Sequence, residues 1–386
     1  MLIRQESLTS KMAFKDLPSS SPLPTANLVL VFGSVKRFSD SKLQSQLKER
    51  YPAAQIIGCT TSGEINPAGV FDDSVQITAI VWEKTTQRVA HVKMNDMQSS
   101  FEAAAGLAKQ LKADSLRTVL VLSDGLHVNG SELLQGFQSV LGDIPIVGGM
   151  AGDGGAFVKT LQLFNDIISE NMVIAVGLYG NSLITASGAL GGWKPYGPPR
   201  KITKSDKNVV YEMDGKPALS LYKLYIGEAY AKGLPGSGLK FPLAIIEEGK
   251  RDVEKIRTLL AFNAADNSLT FAGNVEEGVT VRLCQTNHDR LVEGAAGAAS
   301  LVTGSLASIN ALQPGLAICV SCVGRKGVMV EQVADEIAKV QEIMGSQTTV
   351  TGFYSYGEFA PRPNTTDSVL HNQTMTIGYL SEDLLA

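Results

Sequence analysis

Cysteine is scarce in this chain, with four in 386 residues. So few cannot build a disulfide framework, and a reducing, cytoplasmic setting is the simplest expectation. Histidine is equally sparse at four, and no His/Glu cluster of metal-binding spacing is present. No apolar run approaches the roughly 20 residues that cross a bilayer; the strongest, at residues 27–32 and 172–178, have the length of strands. The first residues lack the unbroken apolar core of a signal peptide. Neither sign of charge dominates, with 34 basic against 38 acidic side chains and a net charge of −4. Lys and Arg nowhere gather with interleaved aromatics, so nucleic acid is excluded as a partner and membrane insertion is not expected.

What the chain does have is apolar material, 44% of its residues, and a length that exceeds one ordinary core. Two domains are expected, residues 27–235 and 236–386, behind a flexible arm at 1–26 that includes a Ser/Pro-rich patch at 19–25. The boundary falls in the Gly- and Pro-punctuated stretch 231–240. Three segments share one plan: an apolar strand ending near Gly, a helix, a second strand, a Gly-containing loop and a closing strand. The strands fall at 28–32 and 55–57, at 118–122 and 144–147, and at 316–323 and 348–351. The helices fall at 41–49, 131–141 and 331–344, with a further helix at 216–225. In the first and third segments Gly58, Gly63, Glu64 and Pro67 match Gly352, Gly357, Glu358 and Pro361. A duplicated β-α-β-loop-β unit explains that match, although glycine after a strand is common in any α/β protein. Alternating segments at 74–82 and 268–272 predict strands with one wet face. The fold class is therefore α/β, two domains with mixed β-sheets and covering helices.

Several stretches carry a family likeness. Gly58-Cys59-Thr60-Thr61-Ser62-Gly63-Glu64-Ile65, Val147-Gly148-Gly149-Met150-Ala151-Gly152-Asp153 and Gly192-Trp193-Lys194-Pro195-Tyr196-Gly197-Pro198 resemble the FIST N-terminal domain. Phe241-Pro242-Leu243, Ser321-Cys322-Val323-Gly324-Arg325, Gly352-Phe353-Tyr354-Ser355-Tyr356-Gly357-Glu358 and His371-Asn372-Gln373-Thr374 resemble the FIST C-terminal domain. The resemblance implies an intracellular sensory module that binds a small ligand such as an amino acid. Some members sense nitric oxide through haem, while others are fused to signalling domains or an F-box. The segment ahead of residue 27 is too short for an F-box and the sequence ends at Ala386, so output is expected through a separate signalling protein.

Read as chemistry, Tyr354, Tyr356 and Glu358 could line one mouth and suit an amino group, with Arg325 clamping a ligand carboxylate. Asn372 and, from the matching first loop, Ser62 and Glu64 join them as candidate ligand contacts. His371 is the candidate haem ligand, although no cofactor is otherwise expected. Cys59 and Cys322 are candidate nucleophiles for a thiol-dependent enzyme, with His371 as a conceivable base. Cys319 and Cys322 lie three apart in one strand, which turns them to opposite faces and undercuts a redox pair. The loops after strands are followed by Glu64 and Asp153 where a phosphate loop needs positive charge, which disfavours a nucleotide. With no catalytic motif found, the readings are a ligand sensor, a haem gas sensor, a thiol enzyme or a protein-interaction scaffold.

Overall fold

In the computed structural model the described residues are 1–9, 11–18, 23–94, 99–246, 255–309 and 314–383. Three six-stranded sheets are each built around a parallel pair: Leu28–Gly33 with Gln55–Thr60, Leu116–Ser123 with Ile146–Met150, and Gly315–Cys322 with Thr348–Ser355. The connections carry helices Leu43–Arg50, Gly130–Leu141 and Ala334–Met344. The closing strands Val75–Val81, Met172–Tyr179 and Met375–Glu382 lie antiparallel to the first strand of their units. These central strands read as continuous apolar runs because both faces are covered. Leu28, Leu30 and Phe32 enter one core with Leu120, Leu122, Ile318, Val320 and Phe353, where the inner faces of all three sheets meet. Val29 and Val31, Val119 and Val121, and Ala317 and Cys319 alternate outward against the helices.

Each sheet is completed by a hairpin from another unit. Gln162–Phe164 and Ile167–Ser169 extend the first sheet, Gly357–Pro361 and Ser368–His371 the second, and Glu64–Asn66 and Gly69–Phe71 the third. The exchange is cyclic, and so are the hydrogen bonds at its centre. The Gly152 amide donates to Thr60 O (2.9 Å), the Ser62 amide to Tyr354 O (2.8 Å) and the Tyr356 amide to Met150 O (3.3 Å). Equivalent glycines make the close approach. A Cβ on Gly58, Gly148 or Gly352 would lie 2.0, 2.0 or 1.7 Å from the carbonyl oxygen of Val31, Val121 or Cys319 on the facing strand.

A fourth, eight-stranded sheet occupies the chain between strand Leu183–Leu190, which edges the third sheet, and helix His288–Ser308. It pairs Lys194–Asp206 with Thr280–Gln285 and buries helix Ala218–Ile226 against Ile202, Leu243 and Phe271. This changes the expected organisation in two places. The 235/236 boundary falls inside the fourth sheet, since residues before and after it pair there; the glycines and prolines of 231–240 mark a 3-10 turn, Gly236–Lys240, whose Gly238 abuts Leu259. The arm contains strand Leu2–Leu8, paired antiparallel with Val75–Val81 and anchored where Glu6 is buried and accepts from the Tyr51 hydroxyl and the Arg50 guanidinium. Its polar alternation suits an edge strand and hid it from the sequence. Of the Ser/Pro-rich patch, residues 19–22 lie outside the described residues. Among the described residues no helix is long and apolar enough to cross a membrane.

Candidate functional site

Most of the residues singled out from the sequence are buried in two kinds of polar network. Arg325, expected to clamp a ligand, is fully buried and committed to Glu336: its Nε lies 3.1 Å and its Nη2 2.5 Å from Glu336 Oε2. Its remaining donors go to the carbonyls of Gly191, Gln373 and Leu291. Tyr354 donates to Glu336 Oε1, as does Ser321 at 2.9 Å, so the tyrosine expected at an open mouth is part of this core. Removing Arg325 from ligand duty follows from its partner: a guanidinium saturated by a buried carboxylate has nothing left for a second one.

Glu64 and Glu358 occupy equivalent places. Glu64 accepts from Thr61 Oγ1 (2.5 Å) and from the amide and hydroxyl of Ser74; Glu358 accepts from Ser355 Oγ (2.8 Å) and the Thr374 amide (3.2 Å). In the remaining unit Gln162 stands there, accepting from the Met172 amide at 3.0 Å. Each pairs with the residue after one of the three close-approach glycines: Glu64 with Phe353, Glu358 with Gly149, Gln162 with Cys59. Burial pushes Glu64 up to about 7 and Glu358 up to about 8 in spite of these hydrogen bonds. Both are strand-exchange residues, not groups on an open wall.

Cys59 and Cys322 are buried, and burial pushes both thiols well above the ordinary range, whereas a nucleophilic cysteine needs an accessible thiolate. Cys319, facing the helix-covered side, is raised in the same way. The His371 ring is buried with Nε2 3.1 Å from Ala360 O, and burial pushes its pKa down to about 4. That geometry does not fit a haem ligand, which needs an open face beside a ring nitrogen. Asn372 donates to the His371 carbonyl at 2.9 Å. Ser62 is buried with its hydroxyl unpaired, while its carbonyl accepts from Lys326 Nζ at 2.8 Å.

Tyr356 alone of the candidates lines a cleft, of about 260 Å³. Three parts of the molecule meet there: the loop 125–130 and Met150 of the second unit with Phe157; Tyr356 and Leu370 of the third; and Asn208, Leu260, Phe271 and Gly273 of the fourth sheet. Tyr356 stacks on Phe157 with ring centroids 4.2 Å apart and planes at 8°, and its hydroxyl donates to Asp153. Asp153 holds the loop beneath the stack by accepting the amides of Phe157, Val158 and Lys159. Burial would raise its pKa, but the hydrogen bonds from Tyr356 and these amides outweigh it and hold the carboxyl below its usual range. Phe157 takes φ of 56°, a costly conformation for a bulky residue that this network enforces.

On the cleft's other side buried Asp124 ends the strand Leu116–Ser123 and accepts from the amides of Leu126 and His127 and from Thr160 Oγ1. His127 Nδ1 lies 3.2 Å from Asp124 Oδ1, and with Nδ1 as donor Nε2 is left as an acceptor on a half-exposed ring. Asn129 caps helix Gly130–Leu141 and ties its Nδ2 to Asn274 Oδ1 at 3.0 Å, joining the second unit to the fourth sheet. Sequence reasoning passed over Asp124, His127, Asn129 and Phe157. The spacing of Asp124 and His127 directly after an apolar strand is the signal that could have found them.

A relative from Methanocaldococcus jannaschii, described as an uncharacterized protein, is 24% identical over 375 residues, covering 86% of this chain and 70% of the relative. Two cyanuric acid hydrolase structures, one from A. caulinodans, align over nearly all of both chains but at 7% and 8% identity and TM-scores of 0.39 and 0.38, a likeness too slight to bear on fold or activity. Family models match much more directly: the FIST N domain over residues 27–216 and the FIST C domain over residues 218–361. With both domains matched in tandem across most of its length, the chain belongs to the FIST family.

Proposed function

We propose that this chain is a small-ligand-binding sensory protein, that its ligand sits in the cleft between His127 and Tyr356, and that its signal passes through a separate protein. FIST domains are associated with sensing in signal transduction. The observation that carries the reading is the meeting of three separately built parts at one cleft of about 260 Å³. A ligand touching all three changes the free energy of their contact, which is the requirement for a sensor. The volume falls just under the roughly 300 Å³ at which drug-sized pockets begin, so the ligand is of amino-acid size. Met150, Leu370, Phe271 and Leu126 offer an apolar surface, while the stacked Tyr356 and Phe157 rings can attract an ammonium group through their faces.

A thermal-shift series with amino acids, their amides and the corresponding amines tests this. A true ligand raises stability with the logarithm of its concentration, by about 2.7 kcal/mol at one hundred times its dissociation constant. The gain should shrink at least tenfold in apparent affinity in His127→Leu and in Phe157→Ala. Saturable stabilisation that both variants retain would place the ligand elsewhere, and none at all across the series would end the sensor reading.

A further inference from the structure

The third sheet has an open edge. Strand Leu183–Leu190 is its last strand and pairs on one side only, antiparallel with Met375–Glu382. In such a pair the main-chain groups of successive residues point alternately at the neighbour and away from it. The Asp383 amide donates to Ser182 O at 2.8 Å, which sets the phase: Ile184, Ala186 and Gly188 turn towards the neighbouring strand, while Thr185, Ser187 and Ala189 turn away. The Cys322 amide, donating to Thr374 O at 3.3 Å, fixes the same phase from the other side of Met375–Glu382. Among the described residues, no group pairs with the outward amides and carbonyls of Thr185, Ser187 and Ala189.

These groups open into a groove of about 550 Å³. Thr185 and Ser187 line it, with Ser305 of helix His288–Ser308 on one side and Pro145, Val147 and the hairpin loop 361–366 of the second sheet on the other. The charged side chain in the lining, Arg362, is paired with Asp367 at 3.2 Å, and the remaining polar groups are hydroxyls and amides. With walls on both sides, the edge admits a single extended segment, whereas a second folded copy would bring its own helix and hairpin against those walls. Gly188 lets helix His288–Ser308 press on the strand, since a Cβ there would lie 2.0 Å from Ala298 O. The edge is thus held in place before anything binds, which lowers the cost of pairing.

Natural sheets blunt their edges with charge or with short strands. Among the described residues the other edges of the three six-stranded sheets follow that rule. Gly69–Phe71, Ile167–Ser169 and Ser368–His371 have three or four residues. Leu2–Leu8 carries Arg4, and Thr86–Lys93 carries Arg88 and Lys93. Leu183–Leu190 departs from it, with eight residues and no charge.

We propose that the outer edge of Leu183–Leu190 receives an extended segment of another protein as an added strand, the segment being uncharged and built of threonine, serine and small apolar residues. Main-chain pairing supplies the affinity, and the groove walls select the side chains. This gives the separate signalling protein its docking surface, and to that extent it rests on the function proposed above.

The probe is an acetylated, amidated peptide of alternating threonine and valine, matched in length to the strand and used at millimolar concentration. Residue-resolved hydrogen exchange on the full chain reads the result. In the chain alone the Ile184 and Ala186 amides are expected to be protected and those of Thr185 and Ser187 to exchange freely. The peptide should slow Thr185 and Ser187 by about tenfold or more, and its fully N-methylated form should leave them unchanged. Ser187→Pro, which removes an amide that has no partner, should abolish the response at Thr185. If that variant does not fold, Ser187→Lys, which places a charge on the edge, should weaken the response by a similar factor. Four results would overturn the assignment: outward amides already protected in the chain alone, no protection by the peptide, equal protection by the N-methylated form, or protection that grows with the chain's own concentration as a dimer forms. The last would make the occupant a second copy. No cleft ligand enters this test, so its failure leaves the cleft standing, and failure of the amino-acid series leaves the edge standing.

Discussion

At the scale of single residues, Glu64 and Glu358 set how the fold responds to pH. Both carboxyls titrate higher in the fold, at about 7 and about 8, than their ordinary value of 4.5. Their contribution is therefore fully present below about 4.5 and is lost as pH rises through the folded values. His371 works in the opposite sense: depressed to about 4 from 6.5, it stabilises above its unfolded value and that stabilisation fades as pH falls towards 4. The two effects oppose each other below about 6.5, and above it the glutamates act without the histidine. Unfolding free energy, measured by denaturant titration between about pH 6.5 and 8.5, should fall with a slope approaching 1.4 kcal/mol per pH unit for each group still protonated only in the fold. Glu358→Gln should flatten that slope, and an unchanged slope would show that the carboxyl is ionised in the fold. The pairing of these two glutamates was legible in the sequence, because Gly58 and Glu64 recur as Gly352 and Glu358 at the same spacing. Their burial was not, since a carboxylate in a Gly-rich loop reads the same whether solvent or a foreign strand covers it.

At the scale of elements, the parallel strand pairs depend on the absence of a side chain at one position in each. Gly352→Ala would put a methyl group 1.7 Å from the Cys319 carbonyl, and the strands could accept it only by separating. The expected loss is about 3 kcal/mol or more. Gly106 is the contrast: it lies within helix Ser100–Leu111, where an added Cβ meets nothing within 4 Å. Gly106→Ala should stabilise by about 0.5–1 kcal/mol through helix propensity and lost freedom of the unfolded chain. Equal effects in the two variants, read from denaturant midpoints, would contradict the close-approach account. The strands and helices of the three repeated segments were legible, whereas strand Leu2–Leu8 and helices Ser100–Leu111 and His288–Ser308 were not. Helices expected at 131–141 and 216–225 appear as Gly130–Leu141 and Ala218–Ile226, because apolar periodicity is a local property. The destinations of the hairpins were not legible. Glu64–Asn66 and Gly69–Phe71 encode a hairpin, but which sheet edge receives it is decided by distant residues.

At the scale of the whole molecule, the cyclic exchange means that none of the three six-stranded sheets is complete without another unit's hairpin, and strand Leu183–Leu190 from the N-terminal family region edges the sheet of the C-terminal one. Calorimetry should show one transition over the three exchanged sheets. A separate early transition of the N-terminal region, with the rest intact, would contradict the interlocking. The family resemblance was legible from motifs spread along the chain, while the domain boundary was not, because the fourth sheet draws strands from both sides of it. The cleft belongs to this scale too, since its walls come from three parts that no local stretch of sequence brings together.

Hydrogen exchange on the full chain, with and without whichever amino acid stabilises it most, tests the central claim most directly. If the cleft is the sensing site, protection should rise together in the loop 125–130, around Phe157 and at 272–274, and this pattern should weaken in His127→Leu. Protection confined to other segments, or stabilisation without any change in these three, would contradict it.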